Sequence, residues 1–206
     1  MTNQVFPTKG NLINTKKSLS LAKMGYDLLD RKRNILIREM MLLIDTAKSI
    51  RGEIESTFDK AYHALQDANI TLGSEHCNNI SKTIPIEDGI TISYRSVMGV
   101  EIPHVVLGKS FTKLSYGLTD TNSQLDRAYI HFNKVKELTA VLAEIDNSVY
   151  RLADAIKKTG RRANALTNIV IPRFEGIVKS ITNSLEEKER EEFSRLKVIK
   201  SVKQRS

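Results

Sequence analysis

The sequence predicts an all-α protein, a long antiparallel two-helix coiled coil with a small central β-hairpin insert. Apolar residues recur at alternating steps of three and four along two long stretches, one towards each end of the chain. Between them the helical period breaks, and β-branched residues alternate with polar ones around glycine and proline. Aromatic residues make up only 6% of the 206 and tryptophan is absent, so the apolar surface suits a thin seam between helices better than a globular core. A repeat near 3.5 residues, held over many turns, marks a coiled coil because a slightly underwound helix keeps one stripe towards its partner.

The first stretch, residues 1–72, opens after Pro7, where Thr8 can cap the free amides of a helix. Its seam runs Leu12, Thr15, Leu19, Ala22, Tyr26, Leu29, Arg33, Leu36, Met40, Leu43, Ala47, Ile50, Ile54, Thr57, Ala61, Ala64, Ala68. It fades near Leu72-Gly73, since glycine tolerates the left-handed geometry of a helix end. About 60 helical residues at 1.5 Å each span about 90 Å. Along residues 37–65 the stripe widens to include Ile37, Met41, Ile44, Phe58, Tyr62 and Leu65, which a two-stranded seam does not need. They predict a third element against this face, either the central hairpin or a separate protein.

The connection, residues 73–117, holds Ile84-Pro85-Ile86, then residues 88–94 and 97–103, all patterned as strand. Pro85 and Pro103 fit edge or terminal positions, because proline cannot donate to a ladder. The last stretch, residues 118–206, begins a helix between Asp120 and Asp126 and carries the seam Leu125, Ala128, Phe132, Val135, Leu138, Leu142, Ile145, Val149, Leu152, Ile156, Thr159, Ala163, Leu166, Val170. Pro172 should kink this helix without ending it, since apolar Ile177 and Ile181 resume beyond. The three stretches are expected to form one elongated domain. Matching the inner ends of the seams, Ala68 with Leu125, gives antiparallel partners whose numbers sum to about 193. Residues beyond about 185 then have no partner on the first helix and project as a tip.

Residues 1–38 carry a net charge of +6 and residues 157–206 a net +7, against +8 for the whole chain, so the middle is acidic. In the expected register Arg31, Lys32 and Arg33 lie opposite Lys157, Lys158, Arg161 and Arg162, a collar that repels itself unless an acidic surface surrounds it. A solvated charged face is the simpler reading of the same residues. Val106-Leu107-Gly108-Lys109-Ser110 ends like a phosphate loop, but Pro103 stands where that motif needs its first glycine. Asn69-Ile70-Thr71 and Asn79-Ile80-Ser81 match the glycosylation pattern, yet Met1–Gly10 has no hydrophobic leader, so they read as chance. Cys77 is the single cysteine, and His63, His76, His104 and His131 show no ligand spacing with it, so neither a metal nor a cofactor is expected. No catalytic constellation is legible, and no apolar run approaches the length of about eighteen residues that a membrane helix needs.

Phe6-Pro7-Thr8-Lys9 with Leu12, Lys16-Lys17-Ser18-Leu19, and the run from Gly25 to Arg33 resemble the N-terminal helix of the D subunit of V/A-type ATPases. Val97 to Pro103, Gly160 to Leu166, Ile171-Pro172 and Leu185 to Phe193 are similar to further signatures of that family, in the same order, over nearly the whole chain. Thr167 departs from the pattern, which has an acidic residue there, and puts one local contact in doubt. The resemblance implies a non-catalytic central-stalk rotor, cytoplasmic and peripheral to the membrane, with no direct membrane insertion. Its paired ends would enter a hexamer of alternating A and B subunits, and the opposite end would couple, with the F subunit and a funnel-shaped subunit, to the membrane ring that moves protons or sodium ions. Hexamer contacts are expected at Lys9, Lys16, Arg31, Lys32, Arg33, Arg161, Arg162, Arg190, Arg195 and Lys197, and contacts with the F subunit at Ile37, Met41, Ile44, Phe58 and Tyr62. The alternatives are a basic coiled-coil scaffold and a nucleic-acid-binding protein. Against the latter, Glu186, Glu187, Glu189, Glu191 and Glu192 interrupt the positive charge, and no aromatic residues interleave with basic ones, so no nucleic-acid partner is expected.

Overall fold

The computed structural model describes residues 6–85, 89–108, 116–117, 119 and 121–204. Helix α1 spans Lys9–Leu72. Thr8 caps it as expected, its Oγ1 accepting the amide of Asn11 at 3.2 Å. Leu72 ends it because Gly73 turns to φ 86°. A short helix, α2 (Ser74–Ser81), follows where the sequence predicts only a break in the period. Eight residues are too few for a periodic signal, and what fixes α2 is the burial of Cys77 against Ala68, Tyr116 and Leu125.

Strands β1 (Ile90–Val97) and β2 (Val100–Leu107) form the expected hairpin, antiparallel, with Ile90 opposite Leu107 and Val97 opposite Val100. Met98 and Gly99, at φ 51° and 74°, make the two-residue turn whose twist matches that of the strands. The strand pattern at Ile84-Pro85 does not become a strand. Thr83 and Ile84 instead close turns on Ile80 and Ser81, and Ile86 lies outside the described residues. Pro103 sits within β2 opposite Tyr94, and a two-stranded sheet leaves every strand one unpaired side to receive it.

Helix α3 spans Ser123–Ala165, with the Oδ1 of Asn122 accepting the amide of Leu125 as a cap. It passes without a break into a π-helical turn, Leu166–Val170, and then α4 (Ile171–Lys203). Pro172, the second residue of α4, has no N–H to give to the carbonyls behind it. The helix meets this with a wider turn, in which the Ile171 amide reaches back five residues to Leu166. The covered positions show the same extra residue: Leu166, Val170 and Phe174 follow two successive steps of four before Ile177 and Ile181 restore alternation.

Contacts divide the chain into two units, residues 1–34 with 157–206, and residues 35–156. In the first, Lys9 pairs with Glu189 and Lys23 with Glu175, so the helices are antiparallel; these pairs sum to five more than the expected register. Its buried residues Thr15, Thr159 and Ala163 lie in the seam series, and buried Ile181 continues the apolar face beyond Pro172. In the second, Asn122 donates to Thr71 on the expected sum, whereas Arg51 pairs with Asp146 at four more and Lys134 with Glu53 at six fewer. Buried Leu36, Ala47, Thr57, Ala61 and Ala68 of α1 are all seam positions. The alanines allow close approach of the helices, and Thr57 satisfies its hydroxyl on the carbonyl of Glu53 at 2.7 Å. The β-hairpin packs on this unit through Ile102, only 1% exposed, against Leu36 and Leu152, with Met40, Leu43 and Ile156 around them.

Candidate interaction surfaces

The ten basic residues expected to meet a hexamer all fall in the unit of residues 1–34 and 157–206. That unit holds twenty Lys and Arg against eight Asp and Glu, a net +12, which leaves −4 for residues 35–156. Lys16, Arg31, Arg161 and Arg162 are exposed, whereas Lys32 and Arg33 are half-buried. Arg33 is held by Asp30 on its own helix, and Lys9 by Glu189. These internal pairs lower the charge that Arg33 and Lys9 offer outward. Arg190, Arg195 and Lys197 lie on α4 where every residue from Glu186 to Gln204 is exposed. Lys9 of α1 reaches Glu189, four residues past the expected limit of about 185 for partners of the first helix, and beyond it the tip has a pair of its own, Glu191 reaching Arg195 at 3.9 Å. Exposed ion pairs of this kind are worth about 0–1 kcal/mol, so they constrain the charges loosely.

The five residues expected to meet the F subunit all fall in the other unit. The β-hairpin takes the seam side, on Leu36, Met40 and Leu43, and leaves Ile37 and Ile44 half-buried and Met41 exposed. Phe58 and Tyr62 are not simply open: they stack at 5.8 Å, and both meet the ring of Phe132 edge-on, at 6.5 and 5.5 Å. Aromatic edges of this kind add about 0.5–1.5 kcal/mol beyond burial, so part of the widened stripe serves the helix pair itself.

The seam pattern does not reveal the polar clamp that fixes the hairpin. Glu144 of α3 accepts the amide of Val105 at 2.9 Å and meets Nδ1 of His104 at 3.1 Å. Two turns on, Arg151 donates to the carbonyl of Glu101 at 3.2 Å, and its guanidinium lies 5.4 Å from the centre of the Tyr94 ring. Ser148, one step off the predicted seam, is buried on the same side of α3. Nothing in a heptad repeat announces such a clamp, because its partners are 39 and 50 residues apart. Among the described residues there is no cluster of His, Cys, Asp or Glu fit to hold a metal, and no helix is long and apolar enough to cross a membrane.

Residues 11–201 match the family described as the ATP synthase D subunit. The chain is 47% identical over 196 residues to the V-type ATP synthase D subunit of Thermotoga neapolitana, covering 95% of this chain and 97% of that one. It is 37% identical over 202 residues to the A-type ATP synthase D subunit of Pyrococcus abyssi, covering 97% and 94%. Against the A-type ATP synthase D subunit of Methanobrevibacter smithii it is 36% identical over 199 residues, covering 95% and 86%.

Proposed function

Because the chain belongs to the ATP synthase D-subunit family and is a subunit of a V/A-type ATPase, we propose that it is the central-stalk rotor of that complex. The unit of residues 1–34 and 157–206 turns inside the hexamer of A and B subunits. Residues 35–156 take the F subunit, and the chain couples through the funnel-shaped subunit to the ring that moves protons or sodium ions. The chain transmits torque and performs no catalysis. The observation that carries this reading is the separation of charge: a unit of net +12 whose cations are largely exposed and spread over three helices, against a unit of net −4. Torque needs contacts that form and break at every angle, and exposed charges worth about 0–1 kcal/mol each do so without trapping one position. The nucleic-acid reading fits less well, because acidic residues 186–192 interrupt the basic surface at the tip.

The test replaces Arg161 and Arg162 together by Glu and measures affinity for the purified hexamer at low and high salt. Binding is expected to weaken by about tenfold or more at low salt, with the difference shrinking as salt screens it. Unchanged binding at low salt, with the wild-type chain binding generic duplex DNA along a steep salt slope, favours the nucleic-acid reading instead.

A further inference from the structure

On α1, Leu21, Met24 and Leu28 are 65%, 52% and 67% exposed. Each stands two residues beyond a seam position, Leu19, Ala22 and Tyr26, and so about 200° round the helix from the seam. Steps of three and four align the three side chains in one ribbon. A helix with a single partner needs one apolar face, and its opposite face is ordinarily charged. The packing within this unit therefore gives the ribbon no task. Cations bound it along the helix, Lys17 four residues before Leu21 and Arg31 three residues after Leu28. Both are exposed, and neither forms an ion pair with a described residue. The ribbon is one of several exposed apolar surfaces of the unit: among the described residues Ile13 and Ile169 are also exposed, as are Phe193, Leu196 and Ile199 towards the end of α4.

We propose that Leu21, Met24 and Leu28 form an apolar contact face that takes a segment of the hexamer's inner wall, itself apolar and flanked by carboxylates that pair with Lys17 and Arg31. This rests on the assignment of the unit to the hexamer. Charge selects the occupant. A cation at each end of the ribbon complements an anion-flanked apolar strip. A second copy of the chain, docked antiparallel on the same ribbon, would instead set Lys17 against Arg31, like charge against like. Because the ribbon lies on α1 only, it meets one sector of the wall at a time, and its grip changes with the angle of the chain.

Leu21→Ser with Leu28→Ser tests this, since both side chains are exposed and their loss leaves the seam intact. With the full chain and the purified A/B hexamer, affinity is expected to fall by at least about tenfold, nearly independent of salt, because apolar contact area is lost. Lys17→Glu with Arg31→Glu is expected to weaken binding at low salt, with the loss fading at high salt. Binding of the double serine variant within about twofold of wild type overturns the proposal, taking a 1.4 kcal/mol change as tenfold. So does a wild-type dimer in light scattering that the serine variant abolishes, for it assigns the ribbon to a second copy. If the wild-type chain itself fails to bind the hexamer, the assignment of the unit falls and the proposed occupant with it.

Discussion

Tyr116 ties the end of α1 to the start of α3 although it belongs to neither helix. It is buried beside Ala68, Cys77 and Leu125, its ring meets Tyr129 edge-on at 5.6 Å, and its hydroxyl donates to Asp126 at 2.8 Å. Burial above all, then the hydrogen bond to Asp126 and the charge of that carboxylate, hold the hydroxyl well above the usual phenol range. A group whose proton is held more tightly in the folded chain stabilises it fully below the unfolded pKa, which is about 10 for tyrosine. That stability drains away as the pH rises beyond it. The urea midpoint of the wild-type chain is therefore expected to fall steeply above about pH 10. Tyr116→Phe is expected to cost about 1–2 kcal/mol at neutral pH, as a hydrogen bond to a charged acceptor is lost, and to flatten the alkaline slope. Urea titrations of both proteins across the alkaline range check this, and an equally steep fall in the variant would contradict it.

Among the elements, the π turn is the one whose local physics is least like its neighbours'. A helix that takes up an extra residue before Pro172 has a ladder both widened and short of a donor, so residues 166–175 are expected to exchange their amide hydrogens about tenfold or more faster than residues 150–160. Pro172→Ala restores the donor and is expected to slow exchange there several-fold. Uniform exchange along the wild-type helix would show the turn to be as tight as its flanks. The turn is only half legible in the sequence. Pro172 announces an interruption, but the step of four from Val170 to Phe174, which allows the helix to widen and continue, becomes a signal only once the covered face beyond the proline is known. Thr8, Gly73 and the seams are legible because caps and heptads are local chemistry. Helix α2 and the Glu144 and Arg151 clamp are not, because contacts distant in the chain create them. For the F subunit, Ile37→Asp with Ile44→Asp puts two carboxylates into the proposed contact. Binding of the purified F subunit is expected to weaken by several kcal/mol, about 3–5 for an uncompensated buried charge, with helicity by circular dichroism unchanged. Normal affinity would move the docking site off this stripe.

At the scale of the whole molecule, the proposed rotor function draws on charge and periodicity. The antiparallel helices make the two ends of the sequence one unit, so the basic residues 1–34 and 157–206 act together although more than a hundred residues separate them. In the unit of residues 1–34 and 157–206, the exposed cations and the Leu21, Met24 and Leu28 ribbon offer contacts that differ from side to side. Such a chain suits a part that turns within a ring. The most direct measurement fixes the A/B hexamer to a surface, attaches a bead to an exposed position of the β-hairpin such as Ser93→Cys after Cys77→Ser, and follows the bead during ATP hydrolysis. Unidirectional stepwise rotation that stops when ATP is withdrawn is the result expected. A bead that stays fixed relative to the hexamer while ATP is hydrolysed at the wild-type rate would contradict the rotor assignment.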